Sequence, residues 1–357
     1  MSTPIHFSEK DMRRLMKGFD VASLTDGLYD HDVEQEFSGV RTVHVKSILT
    51  TPLQKYDPTK NIDEGSRYGK TVEVGDDEQR FDMRDMISLS LTIDKTNNVD
   101  QFNLKKAGEV MNAYKDEQIT PYMDKYRMDE WSKNGGMHYA LTAEPTMDTI
   151  AQTIIKARNA QRNRRVTGNC ALIIPYQYLD VLSLSSQWVK LEKLGGQTLT
   201  KGTMGRFYGM DVVPFIDEIM PGNAWFMIHN KKAAIAPKKI NSFKGHVNPP
   251  RINGDLLEFL MYHDAFVLGK KADGILVASM KENVCAVPTI AVDGGKATIT
   301  STGNTIYYTT NGADPRYSVD KKTYTGVVTL QPGDQLRAYA SADGKYNSDV
   351  AKYNYTG

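Results

Sequence analysis

The sequence predicts an α+β protein, a mixed body followed by an all-β C-terminal sandwich, and three observations carry this. The run Ile87-Ser88-Leu89-Ser90-Leu91-Thr92-Ile93-Asp94 alternates strictly, and period two places the Ile and Leu side chains on one face of a strand. Over residues 102–131, Leu104, Ala107, Met111, Tyr114, Tyr122 and Tyr126 recur at three, four and eight, the spacing of a long amphipathic helix. All 16 methionines and all 3 tryptophans stand at or before Met280, whereas 8 of the 19 tyrosines and a single glutamate, Glu282, follow it. Thr and Tyr favour pleated surfaces and Glu and Met favour helices, so the tail is expected to be all-β. A length of 357 residues is enough for about two or three domains.

The elements follow in order. The first forty residues are polar, with a short helical suggestion at 11–16 and no sustained period from 20 to 37; they are expected to gain order only against a neighbour. Residues 42–48 and 87–94 read as the strands flanking a polar stretch, 55–84, which contains a weaker strand candidate at 70–74. The simplest arrangement is a long two-stranded excursion that needs a partner to lie on. Pro121 should kink the following helix or start a second one, and Asn134-Gly135-Gly136 should end it. A second helix is expected after Pro145 to about Arg162, with Ile150, Ile154, Ile155 and Ala157 as its apolar stripe. Residues 170–175 read as a strand buried on both faces, and a helix begins at Tyr176 after Pro175. Residues 225–229 and 233–236 read as a hairpin turning at Asn230-Lys231. Further strands are expected at 256–261, 265–268 and 274–278, then a linker at 281–288.

Composition narrows the function. The net charge of +1 supplies no global field for nucleic acid or an anionic membrane. No apolar run reaches the ~20 residues of a membrane span, and Met1 to Lys10 lacks the apolar core of a secretory signal. Cys170 and Cys285 read as free thiols of a reducing compartment. No G-x-S-x-G, P-loop or H-E-x-x-H is present, and Gly195-Gly196 lacks a following Lys-Ser pair. Asp76, Asp77 and Glu78 read as a charged turn at a hairpin tip, and His229, His246 and His263 as ordinary surface or core histidines. No catalytic residue, cofactor or metal site is expected. The one concentrated basic run is Lys156, Arg158, Arg162, Arg164 and Arg165. It reads either as a solvated face complementing its helix C-terminus, or as an inner-surface contact with phosphate or with an acidic neighbouring subunit.

The order of arm, hairpin and long helix continues into Ala171-Leu172-Ile173-Ile174-Pro175-Tyr176-Gln177-Tyr178-Leu179, and then into a G-x-x-G-x-x-x-G-x-x-V stretch at Gly202, Gly205, Gly209 and Val212. Over roughly residues 1–280 this resembles the Hong Kong 97-type major capsid protein of tailed phages. The resemblance implies an N-terminal arm at 1–40, an extended β-hairpin loop at 41–100, a spine helix and peripheral domain at 101–145, an axial domain at 146–262, and return strands with a linker at 263–283. It implies a structural protein that assembles as hexamers and pentamers of itself into an icosahedral head shell. Its partners would be non-specifically packaged DNA and portal and scaffold proteins. It would reside in the virion, assembled in the host bacterial cytoplasm, with no membrane partner.

The tail carries a second resemblance. Ile306-Tyr307-Tyr308-Thr309-Thr310-Asn311-Gly312-Ala313-Asp314-Pro315, with Leu336-Arg337-Ala338-Tyr339-Ala340, is similar to the chitobiase C-terminal-type immunoglobulin-like sandwich, here placed at 284–357. Such a module implies an externally displayed domain, with assembly expected to survive truncation after Met280. Tyr307 and Tyr308, with Tyr317 and Tyr324, would either stack on sugar rings or face the core and cross-strand neighbours. The alternatives are an encapsulin-type nanocompartment shell and a glycan-binding surface protein.

Overall fold

The structure is a computed structural model, and it describes residues 22–32, 41–51, 53, 55–59, 66–68, 71, 73–100, 106–185 and 205–356. Strand β1 (Thr42–Ile48) pairs antiparallel with β2 (Asp76–Asp82), Thr42 opposite Asp82 and Ile48 opposite Asp76. The expected pairing of residues 42–48 with 87–94 is therefore corrected: β3 (Asp85–Asp94) joins another sheet. The described part of 70–74 is not strand, and Asp76, Asp77 and Glu78 stand within β2 rather than in a tip turn. Met83, between the two strands, is fully buried against Phe81, Tyr262 and Phe266, and the strands on either side of this anchor serve different sheets.

After β3 come α1 (Lys95–Asp100), α2 (Ala107–Tyr114), a π-helical turn at Lys115–Ile119 and α3 (Thr120–Lys133). Residues 107–133 are thus one helical run, about 40 Å long at 1.5 Å per residue. Pro121 sits in the first turn of α3, directly after the π turn. It cannot donate a backbone hydrogen bond and its ring crowds the preceding turn, and the wider turn accommodates it without breaking the helix. The expected start of this helix near Phe102, the suggested helix at 11–16, Gly195-Gly196 and Gly202 lie outside the described residues. Helix α3 ends at Asn134, and Gly136 follows where a Cβ would stand 2.3 Å from the Ala272 carbonyl carbon, so only glycine fits that approach.

The remainder of the body is β4 (Met137–Leu141), α4 (Ile150–Asn163), β5 (Ala171–Pro175), α5 (Tyr176–Ser183), β6 (Arg206–Phe207), β7 (Met210–Phe215), β8 (Ala224–His229), β9 (Ala234–Ile235), β10 (Lys238–Val247), β11 (Gly254–His263), β12 (Phe266–Val267) and β13 (Ile275–Met280). A mixed six-stranded sheet runs β4-β13-β8-β5-β7-β6. Alternate residues of its strands serve two cores. Leu172, Ile174, Val212, Phe226, Ile228 and Leu276 face α4 and α5 through Ile150, Ile154, Leu179 and Leu182. Ile173, Met227, Ile275 and Val277 face α3 through Met128 and Trp131. Each such fully buried side chain contributes about 1.5–3 kcal/mol, which makes this sheet the stable centre of the body. The β6–β7 connection is a tight turn with positive φ at both Tyr208 (49°) and Gly209 (78°), the geometry of a two-residue hairpin loop.

Two expectations are corrected here. Strand β8 pairs with β13 and β5, and β9 pairs with β12, so 225–236 is not a hairpin. The β10–β11 pair joins β3 in a three-stranded sheet whose Phe259, Met261, Ile87 and Leu89 lie against Met111, Ile119 and Met123 of the long helix. That packing is the reason residues 87–94 alternate so strictly. It also moves 238–263 away from the sheet of β5 and β7, with which the sequence reading grouped it.

The C-terminal region comprises β14 (Thr289–Asp293), β15 (Lys296–Thr300), β16 (Thr305–Thr309), β17 (Lys322–Thr323), β18 (Val328–Thr329), β19 (Gln335–Ser341) and β20 (Ala351–Asn354). They form a β14-β15-β18 sheet and a β17-β16-β19-β20 sheet around Ala297, Ile299, Ile306, Val328, Leu330, Leu336 and Ala338, the expected all-β sandwich. Gly312 at φ +85° makes the turn that Asn311-Gly312 announced, and Asn311 Oδ1 accepts from the Ala313 amide at 3.0 Å.

Candidate interaction surface

The β1–β2 hairpin is divided by burial. At its base, Phe81, Val43 and Val45 pack with Met83, Ile235, Tyr262, Phe266 and Leu268. Farther out the two legs still meet, Leu49 N donating to Gly75 O at 2.9 Å and Asp57 N to Arg67 O at 3.0 Å. The large side chains there point into solvent: Leu53 is 101% exposed and Tyr68 80%, and Ile48, Tyr56 and Val74 are also exposed. These exposed apolar groups on one two-stranded ribbon make it the candidate interaction surface. The ladder between is polar and matched, with Thr42 Oγ1 donating to Asp82 (2.6 Å), Arg80 beside Asp82 (2.9 Å) and His44 on Glu78.

The corner where the hairpin enters the body is pinned by buried polar groups. Tyr262 donates its hydroxyl to Met83 O at 2.9 Å, and the buried Asp264 carboxylate accepts from the Arg84 amide (2.8 Å) and the Tyr126 hydroxyl (2.9 Å). Burial, with the Asp264 charge alongside, pushes the Tyr126 phenol up. His263 stands 2.9 Å from Asp85, and desolvation holds its imidazole below the ordinary value.

Residues 22–32 correct the expectation of an N-terminal arm ordered only by a neighbour; 1–21 and 33–40 lie outside the described residues. Asp124 on α3 accepts from Ser23 Oγ (2.6 Å), Leu24 N (2.9 Å) and Thr25 Oγ1 (2.5 Å). Arg127 donates to Thr25 Oγ1 (2.7 Å) and Asp26 (2.8 Å). Leu28 and Tyr29 then enter the core beside Trp131. Sequence reasoning missed this clamp because Asp124 and Arg127 look like solvated helix charges. Their signal was their position, three residues apart and flanked by Met123 and Met128 on the buried face.

The basic run does not form one face. Lys156, Arg162, Arg164 and Arg165 are exposed, whereas Arg158 is buried at 2% exposure. It donates to Gln161 Oε1 (2.6 Å) and Gly168 O (2.9 Å) and lies 3.1 Å from Cys170 Sγ. The reading of Arg158 as a phosphate or subunit contact is therefore corrected: it ties the end of α4 to the approach of β5. Arg162 covers the Tyr208 ring at 4.6 Å, and Arg164 bridges Asp273 (3.2 Å) and Asp349 (2.6 Å). Lys156 and Arg165 keep open faces. Cys170 and Cys285 are both free and buried.

Tyr307 and Tyr308 point to opposite faces of β16. Tyr308 is half-buried and packs on the sandwich core with Tyr324. Tyr307 stacks on Tyr339 at 5.4 Å with Lys321 over its ring. The sandwich also meets the body. Tyr346 belongs to the core cluster of Trp131, with Tyr317 packed against it, and Arg316 donates to Gly136 O at 2.8 Å. Among the described residues, no group of three or more His, Cys, Asp or Glu side chains is placed to hold a metal ion, and no helix is long and apolar enough to cross a membrane.

Comparison with known proteins agrees with this architecture. A family model described as Fn3 associated matches residues 296–355. Compared by sequence with curated proteins, the chain has no match. Among solved structures it is similar to a chain of Mycobacterium phage Che8, at 13% identity and TM-score 0.59, covering 78% of this chain and 98% of that one. A chain of the capsid of cyanophage P-SCSP1u is similar at 11% identity and TM-score 0.57, covering 77% and 93%. A chain of the mature capsid of bacteriophage PhiM1 is similar at 12% and 0.57, covering 77% and 92%. The chain thus has the Hong Kong 97-type capsid fold expected from its sequence, with an all-β sandwich at its C-terminal end.

Proposed function

We propose that this chain is the major capsid protein of a tailed bacteriophage. Copies of it, arranged as hexamers and pentamers, close into the icosahedral head shell that encloses the DNA genome in the virion, after assembly in the host bacterial cytoplasm. The observation that carries this is the capsid fold itself, shared over more than nine tenths of phage capsid chains. The hairpin supports it: Ile48, Leu53, Tyr56, Tyr68 and Val74 lie exposed on a ribbon too narrow to bury them, and a second copy is the partner that repeats at every site of a shell. The role is structural rather than catalytic. Many modest contacts per subunit then add as avidity in a closed lattice, and near-neutrality keeps like-charge repulsion between copies low. The sandwich is carried on the outside, where it takes no volume from the genome. DNA is held non-specifically, and Lys156 is the inner-surface candidate; portal and scaffold proteins complete the head.

The test is negative-stain electron microscopy of the purified full chain, followed by nuclease treatment and analysis of protected contents. Closed shells protecting DNA when expressed with the other head proteins are expected. A chain that stays monomeric at high concentration in the presence of those proteins would refute the proposal, and shells filled with a protein cargo would turn it toward an encapsulin-type compartment.

A further inference from the structure

One loop of the sandwich touches both the projecting hairpin and the end of the long helix. Ser318 forms an antiparallel bridge with Gln79 of β2, and Val319 N donates to Glu78 O at 3.0 Å. The contact falls on the edge of β2 that β1 leaves free. Gln79 then reaches into the body, its Nε2 donating to Val267 O (2.9 Å) and its Oε1 accepting from Gly269 N (2.8 Å). Gly269 lies so close under Tyr317 that a Cβ there would meet the Tyr317 Cβ at 2.8 Å. The preceding residues of the same loop grip the helix end. Arg316, its side chain only 6% exposed and paired with Asp314 at 2.7 Å, donates to Gly136 O at 2.8 Å. Tyr317 donates its hydroxyl to Asn134 O at 2.8 Å. Tyr346 stacks on His138 at 4.9 Å inside the body's core, and Arg164 joins Asp349 to Asp273 across the seam.

We propose that the C-terminal sandwich is a brace: its 314–320 loop sets the angle at which the hairpin leaves the body, and Gln79, Arg316, Tyr317 and Ser318 are the positioning residues. A two-stranded ribbon is marginal alone, and a third strand-like contact at its base restrains rotation. The lever is long. Seven residues of ladder extend about 23 Å, so a ten-degree rotation at the base moves the far end by about 4 Å, enough to miss a packed partner. This changes the expectation that truncation after Met280 is harmless, because the sandwich shares both core and hydrogen bonds with the parts that would contact neighbours. The inference rests on the shell reading only for its consequence in assembly; the brace itself is a property of one chain.

The test is therefore hydrogen exchange on unassembled full-length subunits. Arg316→Ala is expected to speed exchange in peptides covering 42–48 and 76–82 by about tenfold, as the loss of a charge-assisted hydrogen bond predicts, with peptide 335–341 of the sandwich core unchanged. Tyr317→Phe, which removes one hydroxyl, should shift the same peptides in the same direction by a smaller factor, about two- to fivefold. If the hairpin peptides stay within about twofold of wild type while the seam peptide 343–350 exchanges faster, the brace is overturned. If Arg316→Ala loosens the sandwich core as well, the hairpin must loosen at least as much, and a protected hairpin overturns the idea there too. Assembly is read separately: variant shells of mixed size beside uniform wild-type shells support the consequence. Uniform shells from a variant whose hairpin has loosened overturn that consequence, whereas wild-type chains that form no shell strike the function above and leave the exchange result standing.

Discussion

Arg158 within α4 and Arg165 just beyond its end carry the same charge, yet the structure gives them different work. Arg158 faces the core with its guanidinium on Gln161 and Gly168 O, so Arg158→Ala should cost about 2–4 kcal/mol through unpaired buried acceptors and lost packing. Arg165 is exposed, and Arg165→Ala should stay within about 0.5 kcal/mol. Denaturant unfolding of the two variants checks this; equal stability losses would contradict the assignment. Asp124 and Arg127 make the same point in the other direction. Charges that read as solvent-facing in a helical period hold the 22–32 segment because the facing segment supplies Ser23, Thr25 and the backbone amides of Leu24 and Thr25 at the right height.

At the scale of elements, the hairpin separates into a base that belongs to the body and a distal part that does not. Gln79 ties the base to the body and Asp76 to Arg80 pair with β1, so removing all of 57–80 would damage the subunit as well as its reach. Replacing 50–74 by an Asn-Gly turn keeps the whole β1–β2 ladder and the Leu49–Gly75 bond, and a two-residue turn of that composition suits the strand twist. The expected outcome is a soluble subunit with wild-type unfolding midpoint that forms no shells under the electron microscope. Normal particles from this variant would remove the hairpin from the assembly argument. The long helix teaches a related lesson. Its period was legible, and Pro121 was read as a kink or a new start, but a π turn lets the helix continue through it.

For the whole molecule, buried histidines make stability depend on pH. Desolvation lowers the His229 imidazole to about 4, and its Nε2–H is committed to Leu28 O at 2.7 Å. Burial, with Arg316 nearby, lowers His138 to about 3. Both native values lie below the 6.5 of a free imidazole, so between pH 6.5 and about 4 the unfolded chain binds protons that the folded chain refuses. Stability is then full above pH 6.5 and falls as pH drops through that window. Denaturant midpoints at pH 7.5 and 4.5 should differ in that sense, and His229→Gln and His138→Phe should each flatten the slope. Midpoints that rise on acidification would be the contrary result.

What the sequence alone determined were the elements with a strong local signal. These are the alternating strand at 87–94, the long helix, the apolar strand before Pro175, the Asn311-Gly312 turn and the composition shift that marks the sandwich. The order of those elements, with the Gly and Pro positions between them, carried the fold class. Tertiary structure alone decided which strand pairs with which, because β1, β2 and β3 carry pairing potential that local periodicity does not direct to a partner. It also decided which charges are structural, since burial of Arg158, Asp124 and Arg316 depends on groups more than ten or a hundred residues away. Most of all it decided that the sandwich is joined to the body. Tyr317 and Tyr346 have the composition of ordinary sandwich tyrosines, and only the surface they meet turns them into anchors.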